Sequence, residues 1–457
     1  MLSKLKLIAI VGLLIQVQVL YAEVIFVAEL FRHGARSPSS IRLNFSRKWD
    51  VPPSSLTANG ERMQYELGSY MRKTYIEQHH LLSPIYKEEE VLVISSRTSR
   101  TVQSAYSHLM GLYPPSTGSN ITNPNLNQIL PFRFADGSLG DHTPALPYRY
   151  QTIPVYTFSN TDDATLHGYT GKSCPIAKEI QTNAEETPDY KEVQQKLIPS
   201  LAPLASVLGV PESKVDMKFA KKIFSELHCA YFEGFDLPVK PHSDLWKAMS
   251  FAYDFSNNYK MTYDRAAHKA YTSPFLKDLH DVLLDVANAS STLKLKIYSS
   301  HDYQIINVLT HFNLSSWKCL SESYFNGKDH NIDNPCLVGP EFAAQMLWEL
   351  HKVGEEYYVV MKYNNQIYNI CNTADGLCPL SNFIYFLEQG ILEKGEHASI
   401  CGIEVKSAES FSVGVIFAIF AAIFALCFVI LRFRQERNRI HKRANLEEHD
   451  SEAGVEI

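Results

Sequence analysis

FRHGARSP, residues 31–38, follows an apolar run and sets two arginines around a histidine, with Gly34 between them and Pro38 closing the stretch. A guanidinium presents a planar fork of donors that matches phosphate oxygens, and it stays charged at any physiological pH. Arg32 and Arg36 bracket His33 closely enough to hold one anion against it. Gly34 permits a tight turn and a close approach of backbone to ligand. Alone, the octet reads more readily as a basic loop paired with acids, so its company decides. The run before it, Val24–Ala28, lacks alternation, as a strand buried on both faces does.

Two later stretches repeat the arrangement of strand, polar loop and helix. Val91–Ile94 is a short apolar strand that runs into Ser95-Ser96-Arg97-Thr98-Ser99-Arg100, after which Val102, Ala105, Tyr106, Leu109 and Met110 mark a helix face. Leu293, Leu295, Ile297 and Tyr298 form a third strand, followed by Ser299-Ser300-His301-Asp302 and a helix face of Ile305, Val308, Leu309 and Phe312. Behind the first motif, Met63, Leu67 and Met71 repeat every four residues after Thr57 and Asn59 as candidate caps. In open α/β sheets the carboxyl ends of strands, with the helix N-termini beyond them, form the binding crevice. The fold class expected is α/β, a mainly parallel sheet flanked by helices. Residues from about 176 to 290 are patterned mostly as helix and read as an insertion that caps the sheet and supplies part of the pocket. Tyr357–Met361, Asn364-Asn365 and Ile367-Tyr368 read as a late hairpin.

The ends carry other signals. Residues 1–22 have Lys4 and Lys6, an apolar stretch and a small residue at Ala22, the form of a secretory signal peptide cleaved before Glu23. Residues 411–431 contain no charge and, as a helix, reach roughly 30 Å, enough to span a bilayer. Arg432, Arg434, Arg437, Arg439, Lys442 and Arg443 follow, which places a tail of residues 432–457 in the cytoplasm and makes the chain a single-pass type I membrane protein. The exported part, residues 23–405, has a length prior of two or three domain-sized units. Four sequons, at Asn44, Asn120, Asn288 and Asn313, agree with an exported glycoprotein. Seven cysteines on that side allow at most three intramolecular disulfides and leave one thiol over. The net charge of −6 argues against a general polyanion or nucleic-acid binder, so any anion is held locally.

Phosphoryl transfer needs charge stabilisation on the equatorial oxygens, an in-line nucleophile and a proton for the leaving oxygen. The arginines, a histidine and Asp302 supply these. Nearby cations disfavour imidazolium, so the histidine stays nucleophilic in acid, while the substrate's negative charge favours a protonated Asp302. Competing motifs fail. Gly168-Tyr-Thr-Gly171-Lys172-Ser173 imitates the end of a P-loop but has Leu166 where the first glycine belongs. The Cys371 and Cys378 spacing does not suit zinc, His79-His80 lacks partners at ligand spacing, and no Gly-x-Ser-x-Gly elbow occurs.

Arg32-His33-Gly34-Ala35-Arg36-Ser37-Pro38 with His301-Asp302 resembles the histidine acid phosphatases, the animal prostatic and lysosomal type in particular. LTANGERMQYELG (56–68), RTVQSA (100–105), LYPP (112–115), IPVYT (153–157) and CPL (378–380) extend the resemblance over the exported region. It implies a phosphoglycerate mutase-like α/β core with a helical domain, and hydrolysis of small phosphate monoesters through a phosphohistidine on His33. Asp302 would be the proton donor, and Arg32, Arg36, Arg100 and His301 would hold the phosphate, with no metal or organic cofactor. Arg100 rather than Arg97 is assigned from the match of RTVQSA, and Arg97 stands where the family usually has an acid. The resemblance also implies disulfides Cys174–Cys401, Cys229–Cys336 and Cys371–Cys378, leaving Cys319 free. A homodimer, a phytate or lipid-phosphate specialisation, and a catalytically idle anion-binding ectodomain stay open as alternatives. Lysosomal relatives carry a tyrosine sorting signal, whereas residues 432–457 contain no tyrosine, so the compartment along the lysosomal, endosomal and surface route is left undecided.

Overall fold

Strand β1 (Glu23–Arg32) is the hub of an eight-stranded sheet whose order is β3–β2–β4–β1–β5–β6–β7, with β8 paired to β6. The other strands are β2 (Val91–Ser95), β3 (Tyr156–Thr157), β4 (Leu295–Ser300), β5 (Gln345–Val353), β6 (Glu356–Tyr363), β7 (Gln366–Tyr368) and β8 (Cys378–Pro379). The structure is a computed structural model describing residues 22–123, 144–159, 163–167, 174–373, 376–403 and 423–439. The half β3–β2–β4–β1 is parallel, while every pairing from β1 through β5 to β8 is antiparallel. The sheet is therefore mixed rather than mainly parallel. The reason is local: residues 354–355 and Asn364-Asn365 join β5, β6 and β7 by two-residue turns, too short for a crossover. Asn364 and Asn365 both take positive φ (46° and 64°), as a tight hairpin turn requires, so the late hairpin forms where expected.

Both faces of β1 are covered, which explains its unbroken apolar run. Phe26, Ala28 and Leu30 face one core, shared with Phe275, Tyr298 and Trp348. Val27 and Phe31 face another, shared with Met71, Leu109 and Leu347. Helices α1 (Ala58–Met71) and α2 (Ser99–Leu112) cover the second face. Thr57 caps α1 by accepting the Gly60 N–H, so Thr57 and not Asn59 is the cap. The region expected as an insertion is helical: α3 (Pro188–Leu201), α4 (Met217–Phe232) and α5 (Asp244–Thr262) share a separate core around Tyr190, Phe224, Trp246 and Tyr259. The last of its helices, α6 (Arg265–Ala287), instead lies on the sheet, with Phe275 at 5.1 Å from Tyr298 and 5.8 Å from Trp348 between ring centroids. Helix α7 (Asp302–His311) follows β4 directly. The described residues up to Ile403 form one compact unit, not the two or three that length suggests.

Two disulfides match the implied pairing, Cys174–Cys401 and Cys371–Cys378. The third does not. Cys336 pairs with Cys319 of helix α8 (Trp317–Asn326), and Cys229 is the free, buried thiol. Cys319 and Cys336 have Cα atoms 5.8 Å apart, whereas Cys229 faces away into a small core with Ala35 and Phe342. Asn44, Asn120, Asn288 and Asn313 are all exposed, as sugar attachment needs. Residues 1–21, expected to belong to a signal peptide, and residues 404–422 and 440–457 lie outside the described residues. Residues 423–439 are helical, and among the described residues no helix is long and apolar enough to cross a membrane.

Glu29 and His108 are both fully buried and face each other at 3.2 Å. Burial pushes Glu29 up to about 8, against a hydrogen bond from Gln345, and pushes His108 down to about 3. Between those values the folded pair holds one proton, on Glu29. In the unfolded chain, with ordinary values of 4.5 and 6.5, the two groups hold one proton only between pH 4.5 and 6.5. Below 4.5 the unfolded chain binds more protons, so stability falls as pH falls. Above 6.5 the folded state binds more, so stability falls as pH rises, by roughly 2 kcal/mol at pH 8. Glu29→Gln removes the second slope. Urea denaturation at pH 6.5 and 8 is expected to show a smaller loss in the variant than in the parent protein by about that amount.

Candidate active site

The parallel register brings three strand ends together. Arg32 pairs with Ser300 across β1 and β4, and Ser299 with Ser95 across β4 and β2. The FRHGARSP loop, the loop after β2 and the start of α7 therefore open side by side. Backbone bonds tie them: the His33 N–H donates to the Ser300 carbonyl, and the Ser96 N–H to that of Ser299.

Along β1, Arg32 shares the side of Phe26, Ala28 and Leu30, and this aims a guanidinium into a largely buried corner. Its Nη1 donates to the Pro340 carbonyl at 2.5 Å, its Nη2 meets Asp302 Oδ2 at 3.1 Å, and its Cζ lies 4.3 Å from the Phe342 ring centroid. Gln64 fixes the strand end by donating to the Arg32 carbonyl at 2.8 Å. Gly34 serves a closer approach than a ligand needs: a Cβ there would sit 2.2 Å from the Gly60 carbonyl oxygen at the start of α1. The loop can therefore dock on α1 only with glycine at this position.

His33 Nδ1 lies 2.8 Å from its neighbour's carbonyl, Gly34 O. A carbonyl can only accept, so Nδ1 carries the proton and Nε2 keeps its lone pair. Burial, then Arg100, Arg32, His301 and Arg36, hold His33 well below the ordinary histidine range, so it is neutral in acid. The His301 ring lies 5.5 Å from that of His33, edge to face. Its Nδ1 accepts from Arg100 Nη2 at 3.2 Å, because a guanidinium cannot accept. Its proton therefore sits on Nε2 and is given to Ser96 Oγ at 2.8 Å. Ser96 Oγ is 2.8 Å from Thr101 Oγ1, which in turn reaches the Thr98 carbonyl at 2.7 Å. The chain of hydroxyls sets the tautomer. Burial and Arg100 also hold His301 well below its usual range.

Asp302 begins α7, and its Oδ1 accepts the Tyr303 N–H at 2.9 Å. Burial would raise its pKa, but Arg32, Arg36, the Tyr303 N–H and Arg100 outweigh burial, and the carboxylate ends below its ordinary value. Tyr253, from α5, donates to Asp302 Oδ2 at 3.4 Å. Arg36 sits at the mouth, its Nη1 on the Ser37 carbonyl at 2.9 Å and 3.7 Å from Cys229 Sγ.

All six residues singled out from the sequence, Arg32, His33, Arg36, Arg100, His301 and Asp302, thus meet at one place. Arg97 is exposed and stands apart from the His301 contacts made by Arg100. Sequence reasoning missed Tyr253, Phe342, the Pro340 carbonyl and the pair His167 and Tyr303, whose Nδ1 and hydroxyl are 2.9 Å apart beside His301. Nothing in the helical pattern of α5 distinguishes Tyr253 from its aromatic neighbours. Ser96 was within reach, since it lies in the loop already chosen. The imitation P-loop at 168–173 lies outside the described residues.

The profile of the histidine phosphatase superfamily (branch 2) matches residues 23–364. This chain belongs to that superfamily. As a histidine phosphatase it is 27% identical over 286 residues to lysosomal acid phosphatase of Homo sapiens, covering 62% of this chain and 61% of that protein. It is 29% identical over 297 residues to testicular acid phosphatase of Mus musculus, covering 62% and 61%. With prostatic acid phosphatase of Bos taurus it shares 26% over 375 residues, covering 79% and 84%. The matches thus span 61% of the length of the lysosomal and testicular relatives. Among solved structures, the phytase of Citrobacter braakii superposes with a TM-score of 0.55 at 14% identity, covering 82% of this chain and 99% of that one. Hafnia alvei phytase in complex with myo-inositol hexakis sulphate gives 0.57 at 16%, covering 82% and 98%. At these identities the histidine phosphatase fold is what is shared.

Titration with inorganic phosphate separates the two candidate arginines. Arg100→Ala is expected to weaken binding about 10–100-fold, the range of a charge-assisted hydrogen bond. Ser96→Ala, which frees the His301 tautomer, is expected to cost about 3–10-fold. Arg97→Ala should leave affinity within about twofold, since solvent screens an exposed charge. Calorimetry reads all three.

Proposed function

We propose that this histidine phosphatase is an acid phosphatase that hydrolyses phosphate monoesters by covalent catalysis on His33. The observation that carries the reading is the His33 Nδ1 contact with the Gly34 carbonyl, which leaves Nε2 unprotonated on a ring whose neighbours include Arg100, Arg32, His301 and Arg36. Arg32, Arg36, Arg100 and His301 cradle the phosphoryl oxygens and take up the charge that spreads over them in the transition state.

Asp302 is ionised before substrate arrives, so its proton must come from elsewhere. Below a pH of about 6 a phosphate monoester carries one proton of its own. Binding places that monoanion against the same guanidiniums that held Asp302 as a carboxylate. The proton passes to Asp302, and the dianion takes the arginines. Nε2 of His33 then attacks phosphorus, the ester P–O bond breaks, and the alkoxide oxygen leaves with the proton of Asp302. The products are the alcohol and phosphohistidine 33. Asp302, again a carboxylate, accepts a proton from the water that attacks the phosphohistidine, releasing phosphate and neutral His33.

The wider setting belongs to the same proposal. An exported catalytic part of residues 23–405 follows a signal peptide, 1–22. It is anchored by residues 411–431, with a cytoplasmic tail of 432–457. Three disulfides, four exposed sequons and the run of arginines after residue 431 support this setting.

Rapid quench with labelled substrate at acidic pH is expected to trap phosphate on His33, and His33→Ala to abolish turnover and labelling together. Asp302→Asn should lose about 10²–10⁴ in kcat with an alkyl phosphate, the usual worth of a general acid. It should lose much less with p-nitrophenyl phosphate, whose leaving group needs no proton. Absence of a phosphoenzyme, or an equal loss with both substrates, would contradict the scheme.

A further inference from the structure

A cavity of about 260 Å³ opens beside the catalytic centre, its walls including Pro38, Arg42, Lys221, Lys222, Tyr253 and Asn257. Two of these belong to the reaction site as well. Pro38 ends the FRHGARSP loop, and Tyr253 donates to the proton donor Asp302 at 3.4 Å. One tyrosine ring therefore forms the partition between the phosphoryl cradle and the second cavity.

The charge in this cavity is unbalanced. Arg42, Lys221 and Lys222 are cationic, and Glu226 is the acid in its wall. Glu226 is already committed: its two oxygens accept the backbone N–H groups of Arg42 and Leu43 at 2.9–3.0 Å. A further acid that acts on Lys221, Glu185, is shared by Lys218 at 3.0 Å and by Lys260. Neither Lys221 nor Lys222 makes an ion pair with any described residue. Lys222 is exposed and solvated, as a surface lysine should be, but Lys221 is half-buried. Burial, then the Lys260 charge, push Lys221 down to about 7, against the pull of Glu185 and Asp302. An ammonium in that position costs folding free energy unless something anionic joins it. Tyr253, which lines this cavity and donates to Asp302, sets it against the reaction site.

We infer that this cavity is a second anion subsite, in which Lys221, aided by Lys222 and Arg42, takes a second phosphoryl group of a substrate whose scissile phosphoryl lies at His33. The substrate class is then bisphosphorylated small molecules, with the two groups separated by the width of the Tyr253 partition. Such a molecule would present one phosphoryl to the arginines and leave the other to offset the lysines. The inference rests on the reading that a phosphoryl group occupies the arginine cradle.

Binding of non-hydrolysable phosphonates tests it without requiring turnover. Calorimetry of the protein with a series of α,ω-alkane bisphosphonates of increasing length, each against its ω-hydroxy monophosphonate, is expected to show an optimum length. At that length the bisphosphonate should bind about tenfold tighter. Lys221→Met should remove the preference while leaving methylphosphonate affinity and p-nitrophenyl phosphate turnover unchanged, and Lys221→Arg should restore it. Equal affinities at every length in the parent protein overturn the subsite, as does a preference untouched in both Lys221→Met and Lys222→Met. Normal aryl phosphate turnover with no preference removes the subsite alone. A preference without any turnover keeps the subsite and removes the hydrolase.

Discussion

A guanidinium buried at the end of the central strand organises everything around it. Arg32 cannot lose its charge and is almost wholly out of water, so the fold must surround it with acceptors and an anion. It does so from two separate segments: residues 340–342, which supply the Pro340 carbonyl and the Phe342 ring face, and the start of α7, which supplies the Asp302 carboxylate. Each segment is thereby drawn to within reach of His33. The same electrostatic demand holds Asp302 as an anion. Site and core are thus held by one interaction.

Much of the site was legible because its residues sit at strand ends, where the period of side chains and the sudden appearance of Arg, His or Asp are visible together. FRHGARSP, the loop holding Arg100 and the His301-Asp302 pair each interrupt an apolar run, and strand order then makes them neighbours. The α/β core followed from the same runs, because Val24–Ala28 without alternation demands cover on both faces. The late hairpin was legible from Asn364-Asn365, whose conformational preference is local.

What escaped the sequence depends on long-range packing. The short turns after β5 account for β6 and β7, but the antiparallel run of β5 against β1 is set by a long-range pairing, and nothing in the composition of β5 distinguishes it from a parallel strand. The cysteine pairing turned on which way Cys229 points: it faces Ala35 and Phe342, and Cys319 on a different helix lies nearer Cys336. Tyr253 was invisible because α5 is rich in aromatic residues and most of them serve the helical core. Glu29 and His108 likewise look like ordinary polar positions in sequence, and only their burial against one another makes them a pair that holds its proton on Glu29.

The strand order also carries a consequence for how the chain matures. β4 lies between β1 and β2 in space, yet its first residue is 295, after some two hundred residues that intervene beyond β2. During synthesis, β1 and β2 emerge early with their inner edges unpaired, and the helices α3 to α6 are made before the strand that joins them. Contacts of such long sequence separation form late and at an entropic cost. The helical core around Phe224 and Trp246 has its residues in hand first and can gather while the sheet is still open. Insertion of β4 then joins β1 to β2 and sets His301 and Asp302 beside Arg32 together, so the catalytic loops cannot meet before this half of the sheet is closed.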